Sequence, residues 1–289
     1  MAFAFIMNPT AGTGFAKNAM EQVAGIMDAW NKEYSVTETK GPGNATEIAA
    51  NLAKNPDISA VIAVGGDGTA SEVAAGLTGT GKAMGIIPAG TGNDFIKTVR
   101  IPKDPAAAMK FIFDRPPRPV DTGTINDIFF LNVCGTGFDV TVLECAEEKK
   151  KKHRGLLPYF LGLLQAIRVY APSELEISYN GTTRSGTFLV SSVANGKIIG
   201  GGIPICPAAD VRDGLLDLVM IHNVPRWKIP FYLPGLMMSK DLEFKISEHI
   251  RTREVTISGQ GLKFNIDGEI RRMDEARFVI HPGSLMLIC

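Results

Sequence analysis

Ala60-Val61-Ile62-Ala63-Val64-Gly65-Gly66-Asp67-Gly68-Thr69 is the stretch on which the fold turns. Its first five residues form a bare apolar, largely β-branched run of the kind buried on both faces of a parallel sheet. Helix-period residues follow over Ala70–Leu77, so the glycines lie in a turn between strand and helix. Glycines there let the backbone approach a phosphate closely, and the N–H groups opening the next helix point at it. Thr69 adds a hydroxyl donor. Asp67 is out of place beside a phosphate unless a cation lies between them, which implies Mg²⁺. An isolated Gly-x-Gly is more often a capped turn with Asp as helix cap. Glycine or acid at four of five positions, at the end of a strand, shifts the reading to phosphate.

The same rhythm extends to both sides. Phe3–Met7 reads as a strand ending at Asn8-Pro9-Thr10-Ala11-Gly12, and Ala16–Trp30 as a helix. Tyr34–Thr39 is expected as a strand, Asn44–Lys54 as a helix, Ala83–Ile87 as a strand, and Asp94 toward Arg100 as a helix. Between the last two lies a second Gly-rich loop, Pro88-Ala89-Gly90-Thr91-Gly92-Asn93-Asp94. Two neighbouring strands ending in Gly-rich loops, each with an aspartate, point to one crevice. Repeated strand, turn and helix make a doubly wound α/β domain over residues 1–120, with ligands expected beyond the carboxyl ends of its strands. Two tempting motifs fail. Gly76 to Lys82 (GLTGTGK) resembles a phosphate-binding loop, but Ala83 stands where a Ser or Thr is required, and the segment follows a helix instead of a strand. Gly12-Thr13-Gly14 lacks the third glycine of a dinucleotide fingerprint.

Arg115-Pro116-Pro117-Arg118-Pro119 breaks the rhythm and reads as the hinge. Strand signals then dominate residues 121–289: Ile128–Val133, Glu174–Tyr179, Gly186–Val193, Leu215–Ile221, Glu254–Ser258, Phe264–Ile266 and Arg277–Ile280. Turn pairs Asn180-Gly181 and Asp267-Gly268 suggest an all-β sandwich, its last strand free to pack back on the first domain. Apolar helical insertions are expected over Gly155–Val169 and Trp227–Ser239. Within Asn265-Ile266-Asp267-Gly268-Glu269, a carboxylate just past a tight turn could accept a hydroxyl proton in phosphoryl transfer, although spacing alone favours a hairpin with a solvated Glu. Asp210 and Asp213-Gly214 are equally open, as turn residues or cation ligands.

Thirty basic and thirty acidic side chains cancel in 289 residues, so no global field attracts nucleic acid. Cys134, Cys145, Cys206 and Cys289 show no metal or CxxC spacing and read as buried residues in a reducing compartment. Met1 to Met7 lacks the leader of a signal peptide, and no stretch approaches the ~18 apolar residues of a membrane span. The expectation is a cytoplasmic protein, transiently associated with a membrane from one side. Lys149–Lys152, His153 and Arg154, followed by an apolar helix over Leu156–Val169, fit docking on an anionic bilayer as well as they fit a solvated loop beside a core helix.

NPTAG at 8–12, GGDGT at 65–69, PAGTGNDF at 88–95, NGKIIGGG at 195–202, DG at 213–214 and NIDGE at 265–269 together resemble the diacylglycerol kinase catalytic family. The likeness covers nearly the whole chain. GGDGT is shared with NAD kinases and phosphofructokinase-like enzymes; its combination with GTGND and a late DGE is far more specific. The resemblance implies an NAD-kinase-like first domain, a β-sandwich second domain, and ATP-dependent phosphorylation of a lipid hydroxyl, diacylglycerol foremost. It implies ATP against Asn8, Pro9, Thr10, Ala11, Gly12, Thr39, Gly65, Gly66, Asp67, Gly68, Thr69, Ala70, Ser71 and Thr91. Asp67 and Asp94 would hold catalytic Mg²⁺, Glu269 would be the general base with Asp267 beside it, and Asp213 with the carbonyls of Asp210 and Leu215 would bind a second, structural Mg²⁺. Lys97 departs from the arginine common in relatives, keeping the charge without bidentate phosphate contact. A kinase for NAD or another small molecule and a non-catalytic nucleotide-binding regulatory module are the alternatives. The sequence is silent on oligomeric state and leaves a homodimer open.

Overall fold

The structure, a computed structural model, describes residues 2–150, 157–237 and 246–289. The chain divides into two units, one running to Thr122 and resuming at His281–Cys289, the other spanning Gly123–Ile280. The crossings fall inside strands β5 (Pro117–Ile125) and β15 (Glu275–Ile288). The proline run expected as a hinge therefore enters a strand at Pro117. Pro117 and Pro119 are both exposed there, in the opening residues of the strand, where a missing N–H is tolerated.

In the first unit, β1 (Ala2–Met7), β2 (Tyr34–Glu38), β3 (Ile58–Gly65) and β4 (Ala83–Pro88) are parallel, in the order β4-β3-β1-β2. Met286 and Leu287 at the end of β15 add to the β4 edge, also in parallel. Every residue from Ala60 to Gly65 is buried, as an apolar run covered on both faces requires. The helices are α1 (Phe15–Ala29), α2 (Asn44–Ala53), α3 (Asp67–Leu77), α4 (Asp94–Val99) and α5 (Pro105–Asp114). α3 begins at Asp67, three residues before the apolar periodicity does. α5 is absent from the sequence reading, although Asp104 caps it by accepting from Ala107 N at 2.8 Å, with Pro105 in the first turn.

In the second unit, β6 (Ile128–Phe130), β7 (Val133–Gly137), β8 (Glu174–Tyr179), β9 (Thr182–Ala194), β10 (Leu216–His222), β11 (Ser247–Thr252), β12 (Glu254–Ser258), β13 (Lys263–Ile266) and β14 (Glu269–Arg272) build a β-sandwich. β9 serves both layers. Thr182–Thr187 pairs with β8, while Phe188–Ala194 lies between β7 and β10. Phe130, Phe264 and Phe278 stack edge-on and tilted at the centre, among Ile177, Leu216, Leu218 and Met220. α6 (Phe138–Lys150) and α7 (Leu157–Val169) cover a second cluster that includes Phe138, Ala166, Tyr170, Val219 and Ile221. α8 (Ile229–Met237) follows a single turn at Arg226–Lys228. The helical insertions expected from Gly155 and to Ser239 begin and end outside the described residues, and Lys151, Lys152, His153 and Arg154 lie outside them too; Lys149 and Lys150 close α6. Cys134, Cys145 and Cys206 are buried, Cys289 half-buried.

The segment resembling a phosphate-binding loop proves to be packing. Gly76 lies inside α3, where a Cβ would sit 2.4 Å from Thr46 O and 2.8 Å from Ala49 Cβ, so its absence lets α2 and α3 cross closely. Gly25, exposed in α1, has nothing within 4 Å of its own Cβ position. Gly76→Ala is expected to lower stability by about 1–3 kcal/mol through overpacking, and Gly25→Ala to raise it by about 0.5–1 kcal/mol. Urea melts of the two variants check this; equal shifts would contradict the packing role of Gly76.

Candidate active site

The three loops singled out in the sequence meet through their backbones. A Cβ on Gly90 would stand 2.4 Å from Gly66 Cα, and one on Gly12 would stand 2.2 Å from Ala89 O. Gly12 also has φ 58°, a left-handed conformation that favours glycine. Side chains reinforce this. Asn8 Nδ2 donates to Thr69 Oγ1 at 3.3 Å, and Asn8 Oδ1 accepts from Thr10 N and Oγ1 at 3.1 and 2.9 Å. Asn93 clamps its own loop, accepting from Gly90 N at 3.0 Å and donating to Gly90 O at 2.7 Å. Thr39 N donates to Met7 O at 2.9 Å, which brings the end of β2 to the same strand edge.

Asp67 and Asp94 are gathered by this packing. Asp67 Oδ1 accepts from Phe95 N at 3.1 Å, so the first residue of α3 receives a donor from the first turn of α4. Asp94 is buried and pairs through Oδ1 with Lys97 Nζ at 2.7 Å. A Cβ on Gly92 would lie 3.2 Å from Asp67 Oδ2 and 3.7 Å from Asp94 Oδ2, so both carboxylates converge on one point that glycine leaves open. An oxygen pair of this kind fits a hard divalent cation. Beside it stand Gly65, Gly66, Gly68, Thr69 and Ala70; Thr69 is buried, and nothing lies within 4 Å of a Cβ on Gly68. Ser71 is half-buried in α3, and Thr91 is exposed in its loop. Glu72, passed over in the sequence, accepts from Gly43 N at 2.9 Å and Ala45 N at 3.1 Å, holding the start of α2 against α3.

In the second unit the two acids of Asp267-Gly268-Glu269 have different surroundings. Asp267 accepts three backbone N–H groups, from Leu131 at 2.7 Å, Asn132 at 2.9 Å and Val133 at 3.2 Å. It anchors the chain entering β7. Positive φ at both Asp267 and Gly268 makes the tight turn expected of Asp-Gly. Glu269 is the reverse: 65% of its side chain is exposed, and Arg271 pairs with it at 2.9 Å. A further acid that the sequence did not single out, Asp139 in the first turn of α6, has a carboxyl oxygen buried without a hydrogen-bond partner. Burial, which removes water from the charged form, raises its pKa to about 6. The signal for it was faint, an acid opening a helix that also escaped notice.

Asp213 accepts from Leu215 N at 2.9 Å through Oδ1, and Arg251 holds Oδ2. The Asp210 carbonyl accepts from Asp213 N at 3.4 Å, and Arg251 Nε also reaches Asp217 at 4.0 Å. Both oxygens of Asp213 thus have donors, and one donor is a cation. The resemblance places a second Mg²⁺ here, at Asp210, Asp213 and Leu215; in this structure Arg251 supplies the positive charge beside Asp213. Among the described residues, no group of three or more His, Cys, Asp or Glu side chains is gathered to hold a metal.

Residues 2–125 match the diacylglycerol kinase catalytic domain, and residues 132–289 match the YegS C-terminal NAD kinase beta sandwich-like domain. The chain belongs to the diacylglycerol kinase catalytic-domain family. It is 31% identical to a diacylglycerol kinase of Mycobacterium tuberculosis (strain CDC 1551 / Oshkosh), covering 98% of this chain and 93% of that one. It is 35% identical to a protein of Pseudomonas aeruginosa (strain UCBPP-PA14) named "Probable lipid kinase YegS-like", over 88% and 84%. A crystal structure of a diacylglycerol kinase from Bacillus anthracis str. Sterne superposes with a TM-score of 0.81 at 27% identity, covering 99% and 96%.

The division of labour between the two acids of the DGE turn is directly measurable. Asp267→Ala removes the acceptor of three backbone donors and is expected to cost about 3 kcal/mol or more. Glu269→Ala removes an exposed ion pair and should cost about 0.5 kcal/mol or less. Equal denaturation midpoints for the two variants would contradict the anchoring role of Asp267.

Proposed function

We propose that the chain is an ATP-dependent lipid kinase that transfers the γ-phosphoryl group to a lipid hydroxyl, with diacylglycerol as the leading acceptor and phosphatidic acid as its product. The observation that carries this reading is the convergence of Asp67 and Asp94 at Gly92, on glycine loops packed backbone to backbone. Family membership chooses the reaction class from among those this geometry can serve.

The backbone N–H groups at the start of α3, with Thr69 and the loops from Asn8 to Gly12 and Gly90 to Asn93, bind and orient the triphosphate. Asp67 and Asp94 would hold Mg²⁺, which, when bound, would offset the charge on the phosphate oxygens. Lys97 keeps Asp94 oriented through its ion pair. Glu269 takes the proton of the lipid hydroxyl as that oxygen bonds to the γ-phosphorus and the bond to the bridging oxygen of ADP breaks. Its exposure suits a base that meets its substrate from outside the protein core. Asp267 positions the turn that carries it. No step is assigned to a second metal at Asp213.

The experiment incubates the protein with labelled ATP, Mg²⁺ and a panel of detergent-dispersed lipids, with NAD as a soluble competitor. Phosphorylated diacylglycerol or another hydroxylated lipid is the expected product. Labelled NAD phosphate would favour a small-molecule kinase, and ATP binding without any product a regulatory module. Glu269→Gln is expected to lower turnover about a hundredfold or more while leaving Mg-ATP affinity within about twofold; near-normal turnover would remove Glu269 from the mechanism.

A further inference from the structure

Of the ten large apolar side chains most exposed among the described residues, six fall in two short segments of the second unit: Leu157, Phe160, Leu164 and Val169 on α7, Trp227 in the turn before α8, and Phe231 in the first turn of α8. α7 explains its own pattern. A Cβ on Gly162 would sit 2.7 Å from Ala146 N, and Ala166 is fully buried, so that face packs on α6. Leu157, Phe160 and Leu164 recur at three- and four-residue spacing on the opposite face, with Arg168 four residues further on. Trp227 and Phe231 meet edge-on at 6.4 Å and stay 67% and 72% exposed. The segments are joined: Arg226 Nη1 donates to Arg168 O at 3.1 Å.

Charge says what covers this face. From Leu157 to Ser173 the only charged side chain is Arg168, and from Leu218 to Met237 the chain carries Arg226 and Lys228 but no acid. Lys228 Nζ lies 5.3 Å from the Trp227 ring. The nearest helix, α6, carries Asp139, Glu144, Glu147 and Glu148; Glu144 is paired with Lys263. Large aromatic and aliphatic side chains beside cations, with no acid in the same segments, match the headgroup–acyl boundary of an anionic bilayer. Rings and stems enter the apolar layer, while guanidinium and ammonium groups meet lipid phosphates.

We propose that the exposed face of α7 together with Arg226, Trp227, Lys228 and Phe231 is a bilayer-docking surface selective for anionic lipid. The choice of occupant rests on the lipid-kinase reading, which places the acceptor hydroxyl in a membrane. Docking itself does not depend on catalysis and is measured without ATP. The full-length protein is sedimented with vesicles of phosphatidylcholine alone or of phosphatidylcholine containing phosphatidylglycerol. Binding is expected to favour the anionic vesicles. Trp227→Ser with Phe231→Ser should weaken it about tenfold or more. Arg226→Glu with Lys228→Glu should weaken binding to anionic vesicles by a similar factor and change binding to neutral vesicles little. Thermal midpoints matching wild type show that each pair still folds. Short-chain diacylglycerol below its aggregation limit should be phosphorylated by the Trp227/Phe231 double variant as by wild type. Anionic-vesicle binding unchanged in the Trp227/Phe231 double variant overturns the proposal. So does a wild-type dimer that binds no vesicles and that the double variant breaks, because the face is then an interface between copies. Vesicle binding that behaves as expected, alongside a lipid panel that yields no product, retains the docking surface while removing the kinase reading.

Discussion

The candidate site depends on how closely three loops of the first unit can approach. Backbone meets backbone where Gly66 faces Gly90, and again where Gly12 faces Ala89. A methyl group at Gly90 or Gly12 would occupy space already filled by main-chain atoms, which cannot rotate away as a side chain can. That approach lets the Asp67 carboxylate take the Phe95 N–H from the neighbouring loop and turn its other oxygen toward Gly92, where Asp94 also points. Two carboxylates converging in this way repel each other unless positive charge is near. Lys97 supplies some of it beside Asp94, and a bound divalent cation would supply more.

The second unit contributes a different kind of precision. Asp267 fixes the residues entering β7 through three backbone donors, so the turn before Glu269 is tied to the sandwich while Glu269 itself stays in solvent. At Asp213, where the family resemblance implies a metal, Arg251 pairs with the carboxylate.

The parallel half of the fold was legible because its signals are local. A run such as Ala60–Val64 can be buried on both faces only in a covered sheet, and Gly65-Gly66 marks where it stops. α5 and α6 escaped for local reasons too: α5 announces itself by an Asp-Pro cap before a featureless alanine run, and α6 mixes β-branched residues with a charged end. The polar strands β11 and β14 lack the alternation that marks a strand facing a core. The role of Asp267 was out of reach, because its partners lie more than 130 positions away and a hairpin Asp looks the same whether or not it caps distant backbone. The grip of Arg251 on Asp213 is equally non-local. The family resemblance supplied roles such as that of Glu269, which spacing alone would have assigned to a solvated hairpin residue.

Asp67 and Asp94 are proposed to hold a metal-bound triphosphate together at Gly92. Anomalous diffraction from crystals grown with Mn²⁺ and a non-hydrolysable ATP analogue tests it most directly. A manganese peak is expected beside Gly92, coordinated by the two carboxylates directly or through one water, with the γ-phosphate on the same ion. An ordered nucleotide whose metal sits away from both aspartates would contradict it.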